Sequence, residues 1–336
     1  MSCYLQAIAH FLPLRLRTNA DLIALNPSWN DDAIYRKTGI RARPIADPEQ
    51  TAQDLGYLAI EELFRNEKID RATVDVLIFV TESPDYLVPP SACILQHRLG
   101  LSPHAASFDV NLGCSGFVYG LMLARSLILS RTASRVLLVC AETYSRYCDP
   151  HDLATVTLFG DGAAAALISD ERTGSLAEIG TSVLGTDGSG YQDLIVENGG
   201  ARSPDSADLM RKSDPKKRIL KMNGPEVFRF ALDRVKPACE ELLSRLGKTW
   251  NDVDVCLCHQ ANRFMLESLR TELNLPVEKL PIDVEQIGNL STASLPVFIS
   301  RWVAAENWRT ARTTLAIGFG VGYSWGVAWL TWHVDD

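Results

Sequence analysis

The 336-residue chain lacks a surplus of positive charge: 33 lysines and arginines stand against 41 acidic residues, a formal charge of −8. Nonspecific nucleic-acid binding needs a basic footprint, so that class is excluded. No apolar run reaches the ~18–20 residues of a membrane-spanning helix. The opening "MSCYLQAIAHFLPLRLR" has no basic segment ahead of its apolar part and does not read as a signal peptide. No segment is of low complexity. The eight cysteines form no spaced framework; they are scattered through apolar segments, as expected for reduced thiols of a cytoplasmic protein. The phosphate-loop pattern GxxxxGK(S/T) is missing, and neither "LFGDGAAAAL" (158–167) nor "GFGVGYSWG" (318–326) opens a dinucleotide fingerprint. These glycines read better as tight turns near a site. A metal site is not expected either. Cys256, Cys258 and His259 in "CLCH" have no second ligand pair, and strand alternation puts His259 on the face opposite the two cysteines.

What is present is an ordinary globular composition, 46% hydrophobic and 22% charged. Strand-like and helix-like runs alternate: "VDVLIFV" (74–80), "SACILQHRLGL" (91–101), "ASFDVNL" (106–112), "GFVYGLMLARSLILS" (116–130) and "RVLLVCAE" (135–142). Alternation of this kind predicts an α/β protein with a largely parallel, buried sheet. The second half repeats the first. "VDVLIF" at 74 meets "VDVCLC" at 253, an offset of 179. "GCSGF" at 113 meets "GNLSTAS" at 288, an offset of 175, and "SRVLLVCAE" corresponds to "RTTLAIGFG". Three matches in one order predict a duplicated unit, one half over 1–172 and the other over 173–336. The stretch 199–222 has a different texture. It carries Arg211, Lys212, Lys216, Lys217, Arg218 and Lys221. It is either a solvated loop or a basic lip for an acidic partner or phosphate.

Three residues could carry chemistry. Cys114 lies in "DVNLGCSGF", between a strand end and a helix start. There the helix dipole and free N–H groups are expected to lower a thiol pKa. Taken alone it could equally be a buried, inert cysteine. His259 follows the strand "VDVCLC" at its C-terminal end, where open α/β sheets bind ligands. Asn289 sits in "IGNLSTAS" at the matching turn of the second half, where it could be a helix cap. The duplication makes the turns of Cys114 and Asn289 pseudo-symmetric, so the three side chains can converge on one point.

Together "YRKTGIRAR" (35–43), "GCSGF", "FGDGA", "MNGPEVF", "HQAN", "GNLSTASLP" and "GYSWG" resemble the ketoacyl-acyl-carrier-protein synthase III family of thiolase-like condensing enzymes. The resemblance spans nearly the whole chain. It implies a five-layered αβαβα fold from two pseudo-symmetric halves, and a homodimer. It implies a Cys114–His259–Asn289 triad, with the N–H groups of Cys114 and Val321 forming an oxyanion hole. Cys114 would take an acyl group from a thioester. Condensation with a malonyl thioester would then follow, carbon dioxide leaving as His259 and Asn289 hold the thioester carbonyl. No metal or redox cofactor is implied; the substrates are acyl-CoA or acyl-carrier thioesters. Gly224, Phe228, Ala261, Asn262 and Lys37 fall at substrate or pantetheine positions. An acyltransferase making an ester or amide is the alternative; a neutral Asn289, suited to an enolate oxygen, favours condensation.

The chain also departs from the family. The usual W-x-x-x-R-T-G-I reads "AIYRKTGI", with Ala33 at the tryptophan position and Lys37 at the arginine position. Two further arginine positions hold Leu153 and Phe264. Loss of these groups should weaken binding of the coenzyme A nucleotide, and Trp29 is four residues too early to be taken as a substitute. The expected donor is therefore an acyl group on an acidic carrier protein, or an unusual coenzyme A ester. Arg229, Arg263, Lys216 and Lys217 are candidate docking cations. Val88, in "DYLVPPSACI", stands where the family often has a larger aromatic, suggesting room for a longer or branched acyl group in the partner's pocket. Val321 replaces a glycine, so either its turn is in an ordinary backbone region or the oxyanion hole is altered.

Overall fold

The computed structural model describes residues 2–203 and 219–333. Its strands are β1 (Tyr4–Phe11), β2 (Leu16–Thr18), β3 (Ala42–Pro44), β4 (Val76–Val80), β5 (Ala106–Val110), β6 (Arg135–Glu142), β7 (Gly162–Ser169), β8 (Ala177–Thr186), β9 (Leu194–Val196), β10 (Leu220–Met222), β11 (Val255–Cys258), β12 (Thr313–Gly320) and β13 (Ser324–Trp332). Nine of them hydrogen-bond in the order β11-β12-β13-β8-β1-β7-β6-β4-β5. The order repeats about its middle, with β4, β6, β7 and β1 of the first half answered by β11, β12, β13 and β8 of the second. The two halves meet where Tyr4 and Leu5 of β1 pair with Glu178 and Ala177 of β8.

The expected parallel sheet is corrected to a mixed one. Five of the eight neighbouring pairs are antiparallel and three are parallel. A continuous apolar run such as "AAAALIS" in β7 reports burial on both faces and carries no information on strand direction. The connection from β12 to β13, residues 321–323, is in any case too short for a parallel crossover.

Helices fill three layers around this sheet. Ala52–Glu67 packs outside the first half, its Leu55, Ala59, Ile60 and Leu63 against Leu77, Phe79, Leu137 and Val139. Gly224–Leu246 and Arg263–Glu272 cover the second half through Val235, Leu242, Leu266 and Leu269. Between the halves lie Gly116–Leu129 and Ser294–Ala304, whose Phe117, Val118, Leu295 and Ile299 touch residues of both. Each fully buried side chain of this kind contributes about 1.5–3 kcal/mol of transfer free energy. This central pair is the reason the site is central: both helices begin at the same level, and the turns before them face one cavity. Among the described residues no helix is long and apolar enough to cross a membrane, and no group of His, Cys, Asp and Glu is placed to hold a metal ion.

Candidate active site

A cavity of about 980 Å³ is lined by Cys114, His259 and Asn289 together with Phe319 and Gly320 of β12. The three residues singled out from sequence thus converge on one space. All three are buried, at 6%, 1% and 5% exposure.

Cys114 occupies the turn between β5 and the Gly116–Leu129 helix. Its close neighbour is Gly320, where a Cβ would lie 2.6 Å from the Cys114 Cβ and 3.0 Å from its Sγ. Only a glycine lets β12 pass this near the sulfur. Ser115 ties the turn to the other half, its Oγ 2.7 Å from the Ser324 Oγ. Burial pushes the Cys114 thiol up, and the Glu82 carboxylate raises it further, opposed by the hydrogen bond between the thiol and Ser291. This corrects the expectation of a lowered pKa. The helix start is present, but the sulfur faces an apolar interior and an acidic neighbour rather than a cation, and rests as the neutral thiol.

His259 follows β11 and is fixed by its own N–H, which donates to the Ile317 carbonyl at 2.7 Å. Its ring stands edge-on to Phe319 at 5.6 Å, and its buried Nδ1 has no hydrogen-bond partner. Burial pushes its pKa down to about 3, so the imidazole is neutral at physiological pH. Asn289 is oriented from the opposite side. Its Oδ1 accepts from the Ser291 N–H at 2.8 Å and from the Ser294 Oγ at 3.3 Å. With Oδ1 so held, the amide presents Nδ2, a neutral donor, to the cavity. Gly288 sets up this turn with φ 67°, and a Cβ there would fall 2.6 Å from the Leu158 carbonyl.

"FGDGA" turns out to be scaffold. Phe159 bridges to Asn289, the Gly160 N–H donates to the Asn289 carbonyl at 2.9 Å, and Asp161 accepts from the Ala46 and Ser145 N–H groups. Val321 has no positive φ; that conformation falls on Gly322, at φ 126°. The valine side chain packs instead against Gly113, where a Cβ would meet it at 2.7 Å. The alternative of an ordinary backbone region at Val321 is therefore the one realised.

Nearer the mouth, Lys37, Gly224, Phe228, Ala261 and Asn262 all line the cavity. So does Trp29, at a spacing from which no substitution for the missing tryptophan was expected. Phe264 stacks on Phe228 with ring centroids 5.2 Å apart, and Leu153 borders the same opening. Among the described lining residues Lys37 is the one permanent cation. Arg263 turns away, 3.6 Å from Glu285 and donating to the Tyr35 hydroxyl. Arg229 pairs with Glu226 on its own helix. Lys216 and Lys217 lie outside the described residues. Val88 does not line the cavity and is 81% exposed. Sequence reasoning missed Ser291, Glu82 and Glu142, which stand around Cys114. The available signal was a glutamate directly after the apolar run "VLIFVT", at a strand end where charge is otherwise absent.

A duplicated α/β fold that places a cysteine, a histidine and an asparagine on one buried cavity defines a thiolase-like condensing enzyme. Family models described as 3-oxoacyl-[acyl-carrier-protein] synthase III and its C-terminal part match residues 108–188 and 243–332. A beta-ketoacyl-[acyl-carrier-protein] synthase III of Syntrophomonas wolfei is 35% identical over 336 residues, covering 100% of this chain and 99% of that protein. A crystal structure of a 3-oxoacyl-(acyl-carrier-protein) synthase III superposes with TM-score 0.92 at 43% identity, covering 99% of this chain and 100% of that one. The priming β-ketosynthase of a polyketide biosynthetic pathway superposes with TM-score 0.85 at 29% identity, covering 98% and 96%. The chain belongs to the 3-oxoacyl-[acyl-carrier-protein] synthase III family.

Proposed function

We propose that Cys114 takes an acyl group from a thioester and that the acyl-enzyme then condenses with a malonyl thioester, releasing carbon dioxide and a β-ketoacyl thioester. The observation that carries this reading is the convergence of Cys114, neutral His259 and the Nδ2 of Asn289 on one cavity. Attack by sulfur places negative charge on the acyl oxygen, where the N–H groups of Cys114 and Val321 stabilise it. The first thiol leaves and the acyl group stays on sulfur. In the second half-reaction charge develops on the malonyl thioester oxygen as carbon dioxide departs. His259 and Asn289 both donate there without carrying a charge of their own, so they favour the enolate over the ground state. The enolate carbon attacks the acyl-enzyme and Cys114 is released.

The donor we favour is an acyl group on a carrier protein, or an unusual coenzyme A ester. The support is the mouth, with Trp29, Leu153, Phe228 and Phe264 as its apolar border and Lys37 as its cation. The carrier would dock on Arg229, Arg263 and the segment holding Lys216 and Lys217. The 1–172 and 173–336 halves act as one unit, because Cys114 comes from the first and its partners from the second. A homodimer is also proposed. Among the described residues the edge strand β5 pairs only with β4, and Tyr86, Leu87 and Val88 are 60%, 80% and 81% exposed, which leaves an apolar tip to enter a second copy.

The test is to incubate the protein with acyl-CoA and acyl-carrier thioesters, locate the acyl group by intact-protein and peptide mass spectrometry, and add malonyl-carrier while following carbon dioxide. Acyl-Cys114 followed by carbon dioxide and a β-keto product is the expected result. Acylation without decarboxylation moves the assignment to an acyltransferase acting on an alcohol or amine. Equal turnover of acetyl-CoA and acetyl-carrier at ordinary affinity refutes the donor assignment alone.

A further inference from the structure

Three side chains form a directed hydrogen-bonded line that the condensing chemistry above does not use. The Cys114 thiol lies 4.0 Å from the Ser291 Oγ, as donor to it. The Ser291 hydroxyl in turn donates to the Glu82 Oε2 at 3.4 Å. Both contacts are long, as catalytic hydrogen bonds in empty sites often are. The line is built from both halves of the molecule and is closely fitted. Gly113, next to the nucleophile, leaves the room: a Cβ there would stand 2.3 Å from the Glu82 Oε2. Ser291 is 1% exposed and is held at φ 49°, a conformation rare for a residue with a side chain. Its N–H is tied to the Asn289 Oδ1, so the residue that orients Asn289 also links Cys114 to Glu82.

We propose that Glu82 is the base for the first half-reaction, taking the Cys114 proton through the Ser291 hydroxyl as sulfur attacks the acyl donor. This rests on the function proposed above. As the S–C bond forms, the thiol proton passes to the Ser291 Oγ and the serine's own proton passes to the Glu82 Oε2. The carbonyl π pair moves to oxygen. Collapse breaks the bond to the first thiol, which leaves with the proton returned from Glu82 through Ser291. One negative charge is present throughout, passing from the Glu82 carboxylate through the attacking sulfur to the acyl oxygen, then to the departing sulfur, and back to the carboxylate as that thiol takes the proton.

Electrostatics favours this route over one through His259. Burial holds the Glu82 carboxyl at about 7, opposed by hydrogen bonds from Tyr144 and Ser291, so it is a poised acceptor at neutral pH. His259, pushed down to about 3, is a poor one. Two negative charges side by side in this interior are disfavoured, so the thiolate forms most easily when Glu82 takes the proton. The titratable groups facing Glu82 are Cys114, Tyr144 and Glu142 of β6. Burial raises all three. The Glu142 carboxyl oxygens accept from the Glu82 N–H at 2.9 Å and the Ser83 Oγ at 2.6 Å, so the group fixes the backbone of Glu82 rather than competing for the relay.

The test separates acyl transfer from thiolate content. Acylation of Cys114 by an acetyl and by an octanoyl group, each offered on coenzyme A and on a carrier protein, is timed by quenched intact-protein mass spectrometry from pH 5.5 to 8.5. Alkylation by iodoacetamide, which follows the thiolate population, is timed alongside. Glu82→Gln should slow acylation by about 10²-fold or more and abolish its rise through about pH 7. The same variant should alkylate no more slowly than wild type, because a repelling charge is gone. Ser291→Ala should slow acylation similarly, and Glu82→Asp should restore part of the rate. Acylation of Glu82→Gln at the wild-type rate overturns the relay. A parallel fall in acylation and alkylation, with Glu82→Asp no better, makes Glu82 a structural prop and also overturns it. Failure of wild-type Cys114 to accept either acyl group overturns the underlying function, and the relay with it.

Discussion

The turn before Gly116–Leu129 and the turn before Ser294–Ala304 stand at equivalent places in the two halves, yet their surroundings differ in kind. Around Cys114 lie Glu82 and Glu142, whose carboxyls burial drives upward, and the thiol is driven upward with them. Asn289 is held by neutral hydrogen-bond partners: Ser291, Ser294 and the Leu158 carbonyl that accepts from its N–H at 2.9 Å. In the relay proposed above the proton and charge move at the first turn, with Ser291 contributed by the second, while Asn289 offers a donor that never changes charge. Duplication supplied two helix starts facing one cavity, and the side chains placed there divided the work.

The largest effect should come from removing the nucleophile. Cys114→Ala leaves both turns intact and should abolish acyl-enzyme formation, at least about 10⁴-fold by quenched mass spectrometry. Residual acylation at another cysteine in this variant would break the comparison at its first point. The converse change puts a charge into the neutral turn. Asn289→Asp has nearly the same shape, but its carboxylate repels the developing enolate. Acylation of Cys114 should survive while carbon dioxide release falls by about 10²–10³-fold. Loss of both steps to the same degree would mean that the turns are not separate in function.

How much of this was legible follows the same division. Cys114, His259 and Asn289 could be found because each sits at a strand end or helix start, positions that sequence periodicity marks. Glu82 is marked only by following an apolar run, and its role is not legible there, because it depends on Ser291 and Gly113, which approach it only through the fold. The sense of the Cys114 pKa shift was misread for a related reason. A helix start is visible in sequence, while burial and an acidic neighbour from 32 positions earlier are not. At the mouth, Trp29 enters from the loop ahead of the Asp31–Thr38 helix, so its place depends on loop geometry rather than on motif spacing.

His259 gives a third test, read in stability rather than in rate. Its folded pKa of about 3 lies below the ordinary value of 6.5. Between those two values the unfolded chain holds a proton that the folded one does not. Stability therefore rises with pH through that window and is lost as pH falls from 6.5 toward 3, with a slope of up to about 1.4 kcal/mol per pH unit from this one group. Urea unfolding of wild type and His259→Gln between pH 4 and 7 should show the variant less sensitive to acid. Equal slopes would show that the imidazole is not held neutral.

The mouth of the cavity should yield the smallest effect, and it contrasts with the buried end. There Cys114, His259 and Asn289 are 6%, 1% and 5% exposed, whereas Phe264 is 55% exposed and held by stacking on Phe228. Phe264→Arg would add a guanidinium to an opening where Lys37 is the cation among the described lining residues. A charge-assisted hydrogen bond to phosphate contributes about 1.5–3 kcal/mol when well formed. At this exposure solvent screening should leave about 1 kcal/mol, a roughly fivefold lower KM for an acyl-CoA donor. The KM for the same acyl group on a carrier should not fall, because the carrier presents no adenosine 3′-phosphate. Steady-state kinetics with the matched pair of donors decides it. A drop for the coenzyme A ester alone would show that the mouth, unlike the two turns, can be altered without touching the chemistry. An equal change for both donors would place Phe264 on the shared pantetheine path, and would make the mouth part of the same fixed machinery as the buried end.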